Sequence, residues 1–166
     1  MQENRTILTP MDENDLIRCR EIAATSAAND LMQIEKKSYE ECVGITNDYW
    51  KKRLHKGVHT KDHYLLNIMD SATNTNVGFI WGSVLDEGVH QTFCINHIMV
   101  FDEFQNKGYG KASLSELDKF AESKGCDGLW LSVWVKNSTA KSLYEKMGFE
   151  GTYLWMQKKL KVEKKG

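Results

Sequence analysis

Apolar and polar positions change their period several times along the chain, and each change marks an element. A short apolar stretch from Arg5 to Thr9 ends at Pro10, which reads as a strand closed by a residue that cannot donate to a ladder. Asp12 then precedes Leu16, Ile17, Cys19, Arg20, Ala23 and Ala24, the spacing of an N-capped amphipathic helix. Residues 29–57 read as interrupted helix: Ser38 and Glu41 fit a capping box, and Gly44 and Thr46 punctuate before Tyr49, Trp50 and Leu54. His63 to Asp70 reads as a strand, the run Ser-Ala-Thr-Asn-Thr-Asn at 71–76 as a turn, and Val77 to Leu85 as the returning strand of a hairpin.

A third strand is predicted from Thr92 to Val100. After the polar stretch from Phe101 to Lys107, a helix carries Ala112, Leu114, Leu117, Phe120 and Ala121 until Gly125. Leu129 to Val135 sets Leu129, Leu131, Val133 and Val135 on one face and Trp130 and Trp134 on the other, as an interior strand covered on both sides requires. A helix from about Ser138 to Met147 stops at Gly148, and Thr152 to Leu160 reads as a last strand before a lysine-rich tail, residues 161–166. Strand, helix and strand across 92–135 force a parallel pair with a right-handed crossover. The fold class is therefore α/β: one domain over residues 1–166, a mixed and mostly antiparallel sheet with a central parallel pair, and helices on both faces. Its expected ligand site lies beyond the carboxyl end of the 92–100 strand.

Composition narrows the function. The 166 residues suit one domain at roughly 100–200 residues each. Lys plus Arg number 22 against 23 for Asp plus Glu, so no overall field grips a phosphate backbone, and neither nucleic acid nor membrane is an expected partner. Cys19, Cys42, Cys94 and Cys126 lie far apart without a Cys-x-x-Cys pair, which predicts no metal site. The polar start and the absence of a long apolar run point to a cytoplasmic protein. The lysines near the end, 158, 159, 161, 164 and 165, read as a solvated terminus.

The informative segment is Gln105-Asn106-Lys107-Gly108-Tyr109-Gly110-Lys111, at the turn from strand into helix. Two glycines one residue apart permit positive φ and close approach to a ligand, while the helix start offers unpaired N–H groups and a partial positive charge. Such a turn holds a pyrophosphate. Gln105 stands where the Gly-x4-Gly-Lys motif needs its first glycine, and Ser113 where Gly-x-Gly-x-x-Gly needs its third, so the two common nucleotide motifs fail.

Gln105, Gly108 and Gly110, followed downstream by Asn137, Tyr144 and the pair Gly148-Phe149, resemble the GNAT superfamily of acetyl-CoA-dependent N-acetyltransferases. The resemblance covers residues 92–150 closely, the cofactor-binding part, and the first ninety residues by their order of elements. It implies acetyl-CoA as co-substrate, no metal, and transfer of acetyl to a primary amine of a small molecule or peptide by direct attack in a ternary complex. A dimer is usual in similar proteins. By the same resemblance the backbone of Ile98, Met99 and Val100 meets the pantetheine arm and acetyl group, residues 106–111 hold the pyrophosphate, and Asn137 contacts the cofactor arm. A backbone N–H of 98–100 steadies the developing oxyanion, and Tyr144 protonates the departing thiolate.

The general base is the thin part of the match. Where relatives carry Glu or His, this chain has Cys94 and Asn96, with Ser132 at a further position that is acidic in some relatives. His97 has the opposite strand parity unless a bulge intervenes, and Glu87 precedes the strand. A water chain toward Glu87 or His97 is the working expectation. Plainer readings stand beside these: Cys94 as a small buried hydrophobe, His97 as a packed strand residue, Trp130 and Trp134 as core under a helix, and Tyr144 as a core aromatic. Glu35, Glu40, Glu41, Asp86 and Glu87 favour a cationic acceptor if they border the site. The alternative function is a non-catalytic acyl-CoA sensor.

Overall fold

The structure is a computed structural model that describes residues 5–158 apart from 87, 89 and 157, and leaves the side chains of 33–35 undescribed. Glu87, Lys159, the tail 161–166 and the end of the expected 152–160 strand lie outside these residues.

Local hydrogen bonding starts both early helices where the sequence placed them. After strand β1 (Thr6–Pro10), Asp12 accepts from the Asp15 N–H at 2.8 Å and opens α1 (Glu13–Glu35). Ser38 and Glu41 close a reciprocal box at 3.2 and 2.8 Å and open α2 (Tyr39–Arg53). Gly44 and Thr46 do not break α2, because Thr46 Oγ1 donates to the Cys42 carbonyl at 3.2 Å and satisfies itself within the helix. Strands β2 (His63–Asp70) and β3 (Asn76–Asp86) form the hairpin. Asp70 Oδ1 folds its turn by accepting from Ala72 N–H, Thr73 N–H and Thr73 Oγ1 at 2.8–3.0 Å. Strand β4 (Gln91–Val100), helix α3 (Tyr109–Ser123), strand β5 (Gly128–Leu131) and helix α4 (Ser138–Lys146) complete the order.

The sheet runs β1-β2-β3-β4-β5, antiparallel except for the parallel β4–β5 pair. One face packs Leu65, Phe79 and Trp81 against Leu16, Cys19, Ala23, Trp50 and Leu54 of the α1–α2 layer. The other packs Leu66, Ile68, Ile80, Phe93 and Ile95 against Leu114, Leu117 and Ala121 of α3. Gly82 is required by this second layer, since a Cβ there would run into the Phe93 ring.

Two expectations fail at the far edge. The interior strand over 129–135 is instead the four-residue β5, with Trp130 44% and Trp134 56% exposed rather than packed under a helix. Thr152–Met156 forms no strand and is exposed, so among the described residues nothing pairs beyond β5 and the parallel pair lies at the edge, not the centre. Among the described residues no helix is long and apolar enough to cross a membrane.

Leu117 is fully buried whereas Ile7 is 50% exposed. Leu117→Ala should cost about 2–5 kcal/mol in urea unfolding, and Ile7→Ala under about 1 kcal/mol. Similar losses from the two would contradict the assignment of the α3 face as core.

Candidate active site

The site grows from a change of partners along β4. Its β5 ladder runs Thr92↔Gly128, Phe93↔Leu129, Cys94↔Trp130 and Ile95↔Leu131, then stops. On the other side β3 continues to Val100, paired with Gly78. From Asn96 to Val100, then, the strand keeps one neighbour among the described residues and leaves an open main-chain edge that includes Ile98, Met99 and Val100.

A bulge sits where the strands part. Trp81 opposes His97 while Gly82 opposes Ile95, so Asn96 is the extra residue. Ile95 faces the α3 layer, yet His97 stacks on Phe79 at 5.4 Å and meets Trp50 at 5.6 Å, on the α1–α2 side. The bulge therefore removes the parity objection to His97. Enclosure between those rings holds its pKa down to about 4, so it is neutral at neutral pH and a feeble base. Asn96 Nδ2 donates to Ser83 Oγ at 2.9 Å, and Cys94 Sγ lies 3.8 Å from Asn96 Oδ1. Burial raises the Cys94 thiol pKa, which argues against a thiolate nucleophile.

Beyond β4 the chain enters the glycine turn. Asn106 has φ +58° and Gly108 +85°, and Gly108 caps α3 without a side chain. The first bond into the helix is Ala112 N–H to the Gly108 carbonyl at 3.1 Å. Among the described residues, no acceptor meets the N–H groups of Gly108, Tyr109, Gly110 and Lys111. Four donors and the positive end of a 15-residue helix dipole thus point outward together.

The remaining residues of the loop divide into support and charge. Gln105 Nε2 donates to the Val100 carbonyl at 3.1 Å and to Asp102 Oδ1 at 2.9 Å, tying the loop to the strand end. Lys107 Nζ donates to the Glu103 carbonyl at 2.8 Å, and Lys111 is exposed. The Tyr109 side chain is buried, and its hydroxyl donates to Asp70 Oδ2 at 2.6 Å.

Helix α4 abuts this turn, for a Cβ on Gly110 would stand 3.1 Å from Leu143 Cδ2. Asn137 caps α4 by accepting from the Ala140 N–H at 3.1 Å, leaving its Nδ2 hydrogens to donate elsewhere. Two helical turns on, Tyr144 lies on the same side of α4 and packs on the α3-side core with Ile98, Leu131 and Phe149. Burial raises its pKa, so the phenol stays protonated through neutral pH. Sequence reasoning missed two contributors. Arg5 lies with its guanidinium carbon 4.3 Å from the Tyr109 ring centre. Arg53 stacks over Tyr49 at 5.3 Å, and its charge is felt by Cys94 and His63.

An open strand edge thus runs into an uncapped helix start, on a fold that is that of an acetyltransferase. Residues 24–149 match the model of the acetyltransferase (GNAT) family, and the chain belongs to that family, whose members use acetyl-CoA. The N-acetyltransferase YycN of Bacillus subtilis is 28% identical over 154 residues, which cover 93% of this chain and 98% of that protein. Its crystal structure superposes with a TM-score of 0.85 at 27% identity, over 95% and 99% of the two chains. The ribosomal protein bS18-alanine N-acetyltransferase of Escherichia coli is 38% identical over 66 residues, 40% of this chain and 41% of that one. An aminoglycoside acetyltransferase from a soil metagenomic sample shares the fold, with a TM-score of 0.61 at 17% identity over 97% and 100% of the two chains.

The Tyr109–Asp70 bond yields a pH prediction. It is the largest of the hydrogen bonds that lower the Asp70 pKa to about 2, ahead of those from Thr73. A depressed carboxylate stabilises the fold above its unfolded pKa of about 3.9, and that stabilisation is lost as pH falls toward about 2. Tyr109→Phe should therefore raise the pH midpoint of acid unfolding followed by circular dichroism. Coincident midpoints would refute the bond.

Proposed function

We propose that the chain transfers an acetyl group from acetyl-CoA to a primary amine of a small molecule or peptide by direct attack in a ternary complex. The carrying observation is the continuity of the open β4 edge, from Asn96 to Val100, with the four unpartnered N–H groups from Gly108 to Lys111. The first matches an extended chain of amides and the second matches a pyrophosphate, in the order in which coenzyme A presents them. Residues 92–150 are the cofactor-binding part of a single domain under this reading.

Bound along that path, acetyl-CoA supplies an activated thioester carbonyl. The chain's own groups do the rest. A main-chain N–H among Ile98, Met99 and Val100 polarises the carbonyl oxygen as charge develops on it. Asn137 offers its Nδ2 hydrogens to the arm. Tyr144, protonated and packed against the same core layer as Ile98, hands its proton to the departing sulfur. The acceptor amine enters over the α1–α2 face, where Ser83, Cys94 and Asn96 form a polar row beside the bulge.

The acid expectations for the acceptor side weaken: Glu41 is occupied by the Ser38 cap, while Arg53 makes no ion pair among the described residues and its charge is felt at Cys94. Support from relatives is of the same coarse kind, since one acts on a ribosomal protein's alanine and a fold neighbour is an aminoglycoside acetyltransferase. Both acceptors are amines.

The test couples coenzyme A calorimetry with thiol release over an amine panel. Tyr144→Phe should lower kcat about 10²-fold, at the low end for acid catalysis because a thiolate leaves readily, with KM for acetyl-CoA within about twofold. Unchanged kcat would remove the acid role. A protein that binds coenzyme A but transfers to no amine would instead behave as a sensor.

A further inference from the structure

The phosphate loop shares its end of the sheet with the start of β1. Arg5 is anchored there through its carbonyl, which accepts from the Ser71 N–H at 3.0 Å in the hairpin turn. Its guanidinium rests on Tyr109, 4.3 Å from the ring centre, and its Nη1 would stand 3.7 Å from a Cβ built on Gly108. Tyr109 is itself immobilised, with its hydroxyl on Asp70 at 2.6 Å and its ring edge-on to Phe104 at 6.0 Å. Asp70 spends its oxygens on Tyr109, Ala72 and Thr73. Arg5 makes no ion pair among the described residues.

Stacking on an aromatic face fixes a guanidinium while leaving its in-plane N–H donors free. Here those donors stand beside Gly108, the first of the four residues with unpartnered N–H groups. Lys107 and Lys111 are less committed: one bends back to Glu103 and the other is solvated. We propose that Arg5 binds the pyrophosphate of coenzyme A, its guanidinium donating from the β1 side to the anion held at the start of α3. Tyr109 and Asp70 act as positioning residues that aim it. The assignment rests on the reading of residues 106–111 as the pyrophosphate loop. The 3′-phosphate is the competing anion, and nearness to the helix cap selects the pyrophosphate over it.

Calorimetry on the full chain with coenzyme A and with dephospho-coenzyme A, at two salt concentrations, tests this. Arg5→Gln should weaken both ligands about tenfold, the scale of one charge-assisted hydrogen bond, and flatten the salt dependence of the affinity. Arg5→Lys should recover part of the salt dependence without the full affinity. Three results would overturn the proposal: equal affinities of wild type and Arg5→Gln, a loss confined to the ligand bearing the 3′-phosphate, or a loss with an unchanged salt slope. Failure of the wild-type protein to bind coenzyme A would overturn the loop reading beneath it, which is a separate result.

Discussion

The structure depends on the hydrogen-bonding needs of one strand. β4 is paired on both sides as far as Ile95 and on one side from Asn96 to Val100. Main-chain groups cannot be left dry without a penalty of about 1–3 kcal/mol each, so a half-paired strand in the middle of a fold demands water or a ligand. The neighbour withdraws because β5 ends at Leu131, and the chain then travels to the Asn137 cap of α4 without rejoining the sheet. The Asn96 bulge lies at the same level, and bulges bend and twist a strand where its pairing changes. Opening and bulge are two expressions of one parting.

The second requirement is that the donors beyond β4 stay unused. A flexible glycine turn would close on itself and satisfy its own N–H groups. This one is held open from several directions, by Gln105 on the Val100 carbonyl, Lys107 on the Glu103 carbonyl and the buried Tyr109 on Asp70. None of these bonds uses a main-chain N–H of the row from Gly108 to Lys111. A site already in its binding geometry avoids the ordering entropy a ligand would otherwise face. Asp70 joins the two halves of this arrangement, since it folds the β2–β3 turn with one oxygen and fixes the loop with the other.

What the sequence disclosed follows from how local each signal is. Asp12 and Ser38 declared their helices because a cap is a contact between residues three apart, and the turn declared itself at Gly108 because positive φ is a property of one residue, although Gly110 is helical and does not use it. The bulge was illegible: Cys94, Ile95, Asn96 and His97 alternate acceptably with or without it, and only the opposing Trp81 and Gly82 reveal the slip. Leu129 to Val135 misled for the converse reason, having apolar residues on both faces while only four residues, from Gly128, pair. Tyr109 belongs to the loop by its backbone, which is all the motif concerns, whereas its side chain answers to Asp70, 39 residues away. Of the expected site, the 98–100 edge leads into the 106–111 turn, and Asn137 and Tyr144 share one side of α4.

The face over the bulge bears on how an amine loses its proton. The candidate bases that the structure describes are poor ones. His97 is held near pKa 4 by burial, and the Cys94 thiol is pushed up by burial. Burial, and then the Arg53 charge, lowers the pKa of His63, and its Nδ1 accepts from Trp81 Nε1 at 3.0 Å, so the neutral ring carries its proton on Nε2 and has no free lone pair. The charge felt at Cys94 is that of Arg53. For an ammonium brought over this row, desolvation and a neighbouring guanidinium act in the same direction, disfavouring the protonated form. Under the proposed transfer, an environment that disfavours the ammonium supplies part of what a general base would, while Glu87, the other candidate base, lies outside the described residues.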